Sequence, residues 1–230
     1  MPGLIALIGG NEFRRDCEPM DRTLLARLGS SPKVVIIPAA AARENPALAA
    51  ENGVRYFNGL GAQAEAAMII DAETARQPAL AARVGNADLI YFTGGDPVYL
   101  LETMRDSPAW KASQEMLPRG RILAGSSAGA MILGGQMWAP GSGWREGLGL
   151  VPTIAVIPHH ASLVSRWNAA RIRASLREGV ILVGIDEATA LVGPPWQVLG
   201  PGEVTVYRGK KPDIFKDGQN VPLPDQETGR

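Results

Sequence analysis

The chain has 230 residues, 46% of them hydrophobic and 20% charged, with 23 Lys and Arg balancing 23 Asp and Glu. These are ordinary values for a soluble globular protein, and the length fits one sizeable α/β domain. The balanced charge argues against a nucleic-acid surface and a polybasic membrane anchor, and no apolar run approaches the roughly 20 residues of a membrane helix.

The N-terminal stretch MPGLIALIGGNEFRRD has no basic residue ahead of its short apolar run. It reads as a first strand rather than a signal peptide. A single cysteine, Cys17, excludes an internal disulfide and fits a reducing cytoplasm. Short apolar runs then alternate with helical stretches. Leu4–Ile8 ends in Gly9-Gly10, Val34–Ile37 in Pro38, Ala67–Ile70 in Asp71, Leu89–Phe92 in Thr93-Gly94-Gly95, and Arg121–Ala124 in a serine turn. Each run is apolar or β-branched throughout, as in a strand buried on both faces. Ala-rich helical stretches, Pro46–Leu60 and Ala72–Val84, lie between them. The alternation predicts a three-layer α/β/α fold with a mostly parallel central sheet and function at the carboxyl ends of its strands. Further on, Ile154–Ile157, Ile181–Ile185, Ala190–Val192, Gln197–Leu199 and Val204–Tyr207 read as strands with shorter spacers. Residues 1–212 are expected to form one domain, and the polar, Pro-containing residues 213–230 a loosely ordered tail. The five tryptophans would allow a homodimer interface.

Gly125-Ser126-Ser127-Ala128-Gly129 matches the G-x-S-x-G elbow, where a strand turns sharply into a helix and exposes a strained serine. Small neighbours are required for that turn. The pentapeptide alone would also suit a glycine-rich turn without chemistry; the apolar strand before it and the small-residue helix after it, Ala128–Met137, favour the elbow. Free N–H groups at that helix start, Ala128 first, could meet a developing oxyanion. A serine nucleophile needs a base, and the chain has only two histidines, His159 and His160. The Ser-acid-His order of α/β-hydrolases would require Glu146. Asp186 and Glu187 follow the histidines at the end of an apolar strand, and a Ser-His-acid order fits better. A nucleotide-binding reading of Leu7-Ile8-Gly9-Gly10-Asn11 fails on glycine spacing.

Four blocks, in order, resemble the peptidase E and cyanophycinase family of serine peptidases: Phe92-Thr93-Gly94-Gly95-Asp96, Gly125 to Ala130, Gly147-Leu148-Gly149-Leu150, and Gly184 to Leu191. The resemblance covers roughly Leu4 to Val192. It implies a fold similar to class I glutamine amidotransferases with Ser127 in place of their cysteine. It further implies oxyanion N–H groups from Gly95 and Ala128, and Glu187 as the acid. The peptidase E branch takes its acid from shortly after the elbow, but Ala128 to Arg145 holds no Asp or Glu. The Pro158-His159 step resembles that of peptidase E and favours His159 as base; spacing from Glu187 in the cyanophycinase branch points to His160. His159 is preferred because loop lengths vary more readily than a strand-end register.

The residues expected to meet substrate are Asp96, Arg166, Asn168, Arg171 and Arg173. Arg171 and Arg173, two apart, cannot both face a pocket squarely. Asn168 stands where both branches carry Arg, and Pro97 where the family has Gln, which argues against strict Asp-X specificity and cyanophycin cleavage. The expected activity is hydrolysis of short peptides as a dipeptidase, carboxypeptidase or other exopeptidase, in the cytoplasm. No cofactor is expected, and no His/Cys cluster suggests a metal. The alternatives are a cyanophycinase-like peptidase, an esterase or amidase on a non-peptide substrate, and a non-catalytic binding protein.

Overall fold

The structure is a computed structural model, and it describes residues 3–139, 141–163, 175–209 and 211–224. In chain order the elements are β1 (Leu4–Ile8), α1 (Glu18–Ala26), β2 (Lys33–Ile37), α2 (Pro46–Gly59), β3 (Gln63–Ala66), α3 (Pro78–Gly85), β4 (Leu89–Phe92), α4 (Pro97–Met104), α5 (Pro108–Glu115), β5 (Ile122–Ser126) and α6 (Ala128–Leu133). There follow β6 (Gln136–Ala139), β7 (Gly143–Glu146), β8 (Ile154–Ile157), α7 (His160–Leu163), β9 (Ile181–Ile185), β10 (Ala190–Gly193), β11 (Gln197–Leu199), β12 (Val204–Tyr207) and β13 (Asp213–Phe215).

Seven strands form the main sheet in the order β11-β10-β1-β5-β4-β2-β3. The five strands from β1 to β3 run parallel, while β10 and β11 are added antiparallel. Alternation along these strands explains the sheet's burial on both sides, since successive side chains point to opposite faces. Leu7, Val35, Ile37, Ile90, Phe92 and Leu123 enter one apolar cluster. Their neighbours Ala6, Ile8, Val34, Ile36, Tyr91 and Ala124 enter the other. The two faces are covered by helices, the three-layer α/β/α arrangement that the strand-helix alternation predicts.

The later strands do not all extend this sheet. β8, β9, β12 and β13 form a separate four-stranded sheet in the order β13-β12-β9-β8, with β8 and β9 parallel, and β6 and β7 form a hairpin. Ile154, Val156, Val183, Ile185, Val204 and Val206 from the second sheet join the apolar cluster on one face of the first, so the sheets share a core.

Several boundaries differ from expectation for identifiable reasons. The strand expected at Ala67–Ile70 lies earlier, at Gln63–Ala66, on the sheet's edge. Ala67 still donates its N–H to Ile36 O, and Ala67 and Ile69, past the end of the strand, are buried in the apolar cluster on one face of the sheet. Pro78 starts α3 and holds Gln77 extended, which separates a short 3-10 turn at Thr74–Arg76 from the helix. The helix after the serine turn stops at Leu133 because Gly134 is extended, and Gln136–Ala139 pairs instead with β7. The segment expected as a loose tail is packed as far as it is described. Asp213–Phe215 pairs with β12, and Val221, 3% exposed, donates its N–H to Trp196 O at 2.8 Å.

One buried carboxyl gives this fold a pH-dependent stability. Asp21 on α1 is wholly buried and accepts a 2.8 Å hydrogen bond from the Tyr56 hydroxyl, while its other oxygen has no hydrogen-bond partner among the described residues. Burial pushes this carboxyl up to about 7, against the smaller opposing effect of the Tyr56 hydrogen bond. The folded state thus holds the Asp21 proton more tightly than the unfolded chain. Its contribution is complete below the ordinary carboxyl range and is lost as pH rises through about 7. Chemical denaturation from about pH 5 to about pH 8 should therefore destabilise the wild type, relative to Asp21→Asn, by on the order of 2 kcal/mol. Parallel stability curves for the two proteins would contradict this.

Candidate active site

β5 delivers a fully buried strand to the serine turn, and Ser127 sits at φ 49°, ψ −107°, a strained backbone for a residue with a side chain. Its N–H donates to Ile8 O at 2.9 Å, and its carbonyl accepts from Met131 N in the first turn of α6. The outer glycines are set by close approach, since a Cβ on Gly125 would run into the Gly129 backbone. Ala128, the first residue of α6, has an N–H without an acceptor within its helix. The loop after β4 lies alongside: a Cβ on Gly94 would stand 3.3 Å from the Ser127 Cβ.

His159 and Glu187 come from the second sheet, following the adjacent parallel strands β8 and β9. His159 Nε2 lies 3.1 Å from Ser127 Oγ, and His159 Nδ1 lies 2.8 Å from Glu187 Oε1. Both contacts are satisfied when Nδ1–H donates to the carboxylate and Nε2 accepts from the serine hydroxyl. His159 has φ 50°, a left-handed turn that directs its ring at the serine.

The neighbouring histidine is committed elsewhere. His160 Nε2 is 2.7 Å from the Tyr207 hydroxyl, Nδ1 faces Asp186 at 3.6 Å, and the ring covers Gly184. Burial holds the His160 imidazole below its ordinary value, outweighing the opposing pull of Asp186. Asp186 also accepts from the N–H groups of Ala161 and Glu203, both at 2.9 Å. The two residues brace the chain behind the site.

The segment after the first strand joins these parts. The loop after β1 begins Gly9-Gly10-Asn11-Glu12-Phe13. Gly9 O accepts from His159 N at 2.7 Å, and Gly10 O accepts from Ala188 N at 3.0 Å, one residue after Glu187. Gly10 must be glycine twice over: it has φ 123°, and a Cβ there would occupy the His159 ring. Asn11 Nδ2 donates to Glu187 Oε2 at 3.3 Å, and the Glu12 carboxylate accepts from Gly94 N–H and the Ser126 hydroxyl. The available signal was a glycine pair at the end of a central strand followed at once by two polar side chains.

A cavity of about 770 Å³ opens beside Ser127 and His159. Gly94 and Gly95 line it, with Glu12, Glu44, Arg14 and Arg55 adding two charges of each sign. Asp96 lies outside this wall. Its Oδ1 accepts from Val98 N and Tyr99 N and caps the start of α4, and its Oδ2 faces Arg43 at 3.5 Å. Arg166, Asn168, Arg171 and Arg173 lie outside the described residues. Cys17 is buried and donates to Asn11 O at 3.2 Å; burial first, then nearby Asp21, pushes its thiol up to about 12. Such a thiol is no nucleophile near neutral pH. Among the described residues no group of three or more His, Cys, Asp or Glu side chains could hold a metal ion, and no helix is long and apolar enough to cross a membrane.

The parallel sheet with a serine elbow at its centre defines a hydrolase of the class I glutamine amidotransferase-like fold. The profile of Peptidase family S51 matches residues 4–193, and the chain belongs to that family. It is a serine-type peptidase. A cyanophycinase of Trichormus variabilis is 29% identical over 217 residues, spanning 88% of this chain and 72% of the relative. One from Geminocystis herdmanii is 26% identical, spanning 94% and 84%. The crystal structure of a peptidase from an acI-B1 actinobacterium matches with a TM-score of 0.87 at 32% identity, over 97% of this chain and 98% of that one. A candidate peptidase E protein from Listeria monocytogenes has the same fold, with a TM-score of 0.62 at 19% identity over 94% and 99%.

The contrast between the histidines is directly testable with an activated acyl ester. His159→Gln should lower turnover by about 10⁴-fold or more, whereas His160→Gln should stay within about 10-fold of wild type. The reverse ranking would assign the base to His160.

Proposed function

We propose that Ser127, His159 and Glu187 form a catalytic triad that hydrolyses short peptides through an acyl-enzyme. The observation that carries this reading is the imidazole of His159, within hydrogen-bond distance of both Ser127 Oγ and Glu187 Oε1. In this reading His159 takes the serine proton as Oγ attacks the scissile carbonyl, and Glu187 holds the ring and stabilises its cation. The N–H groups of Gly95 and Ala128 receive the oxyanion. His159 then protonates the leaving amine, and water, activated by the same imidazole, releases the acyl group.

A cavity of about 770 Å³ with charges of both signs suits a short peptide that carries free termini. Arg166, Arg171 and Arg173, in the segment after α7, would supply further cations for a substrate carboxylate, with Asn168 among them. Dipeptidase and carboxypeptidase action both follow from that chemistry. The relatives named cyanophycinase favour a second reading, cleavage of that polymer, against which stands Asn168 at a position where the family resemblance implies arginine. The lone buried Cys17 fits work in a reducing cytoplasm.

A panel of dipeptides, tripeptides and their end-blocked counterparts tests the proposal. Free-ended peptides should be cut and doubly blocked ones spared, and Ser127→Ala should lower turnover by about 10⁴-fold or more. Normal peptidase activity in Ser127→Ala would refute the triad, and equal cleavage of doubly blocked peptides would refute the exopeptidase mode.

A further inference from the structure

Glu12 belongs to none of the motifs in the sequence and takes no proton in the proposed mechanism. Its carboxylate nevertheless joins the loop after β4 to the serine turn at the end of β5. Oε1 accepts from Gly94 N–H at 2.6 Å, and Oε2 accepts from the Ser126 hydroxyl at 2.7 Å. Gly94 immediately precedes Gly95, and Ser126 immediately precedes Ser127 and Ala128. The carboxylate thus grips each loop one or two residues from a proposed oxyanion donor. Ser126 is fully buried, so its hydroxyl requires a partner.

Glu12 is itself held from both sides. Asn11 and Phe13 have φ of 61° and 64°, so the backbone on either side of Glu12 is fixed in an unusual conformation. The Phe13 ring is packed among Tyr91, Tyr56 and Phe57, with centroids 5.1, 5.7 and 6.1 Å away. A carboxylate placed this firmly, with two short charge-assisted bonds, acts as a spacer.

We propose that Glu12 is a positioning residue that sets the separation of the Gly95 and Ala128 N–H groups by bridging Gly94 and Ser126. The proposal rests on the triad reading above. Oxyanion donors act only when they lie close to where the charge develops, and a misplacement of about 1 Å can cost about 100-fold in rate. The bridge needs one acceptor for Gly94 and one partner for Ser126, not a charge as such. Glutamine can supply both, accepting from Gly94 and donating to a Ser126 hydroxyl that has rotated.

The test is the rate at which a fluorophosphonate probe labels the folded protein, followed by intact mass and resolved into the maximal rate and the half-saturating probe concentration. Glu12→Ala should lower the maximal rate by roughly 10- to 100-fold while the half-saturating concentration changes by less than about threefold. Ser126→Ala should lower it in the same sense, and the double variant should be no slower than Glu12→Ala, because both changes break one bridge. Glu12→Gln should stay within about threefold of wild type. A role confined to stability would shift the thermal midpoint and leave the maximal rate alone. Wild-type rates in Glu12→Ala and Ser126→Ala, or a Glu12→Gln as slow as Glu12→Ala, would overturn the proposal. Should Glu12→Ala not fold, Ser126→Ala, which removes a single oxygen, decides the matter. Labelling of Ser127→Ala at the wild-type rate would overturn the triad reading and this proposal together, an outcome seen before any Glu12 variant is made.

Discussion

The site depends on five residues at the end of the central strand β1. Gly9 and Gly10 bring bare backbone against the His159 loop, Asn11 reaches Glu187, Glu12 reaches the serine turn and the loop after β4, and Phe13 anchors the segment in an aromatic cluster. The serine belongs to the seven-stranded sheet, and the histidine and acid follow strands of the four-stranded one. Apolar packing between the two sheets would by itself leave Ser127 and His159 poorly registered, since hydrophobic packing is not directional. Hydrogen bonds from one short loop to both supply the missing direction.

The same region concentrates backbone strain. Among the described residues, the non-glycine positions with positive φ are Asn11, Phe13, Asp106, Ser127, His159 and Ala188. All but Asp106 belong to the serine turn, the histidine, the residue after Glu187 or the loop that ties them. Each such conformation costs on the order of 1–3 kcal/mol and persists only where its surroundings hold it. Here the surroundings are strands buried on both faces, the rigid support that a site built to a few tenths of an ångström requires.

Much of this was legible in the sequence, and the remainder was hidden for physical reasons. Strands buried on both faces write themselves as unbroken apolar runs, so β1, β2, β4 and β5 and the turns at their carboxyl ends could be read directly. The small residues of the elbow marked Ser127, and scarcity narrowed the base to two histidines. Which of the two faces the serine depends on a left-handed backbone at His159 that no residue pattern announces. The second sheet was invisible because strand pairing is long-range, and apolar runs do not name their partners. Ala67 and Ile69 look like strand residues because they are buried, yet they follow the end of the strand and join the apolar cluster on one face of the sheet. Asn11 and Glu12 escaped notice because their partners lie 176, 82 and 114 residues away in the chain.

In the proposed function, peptide hydrolysis proceeds through an acyl group on Ser127. The most direct test uses an activated ester with a bulky, slowly released acyl group, quenched in acid during turnover and mapped by peptide mass spectrometry. The acyl group is expected on Ser127, within the peptide that contains Gly125 to Gly129, and is expected to be lost in Ser127→Ala. An acyl group on Ser126 or Cys17 instead, or sustained turnover with Ser127 never modified, would contradict it.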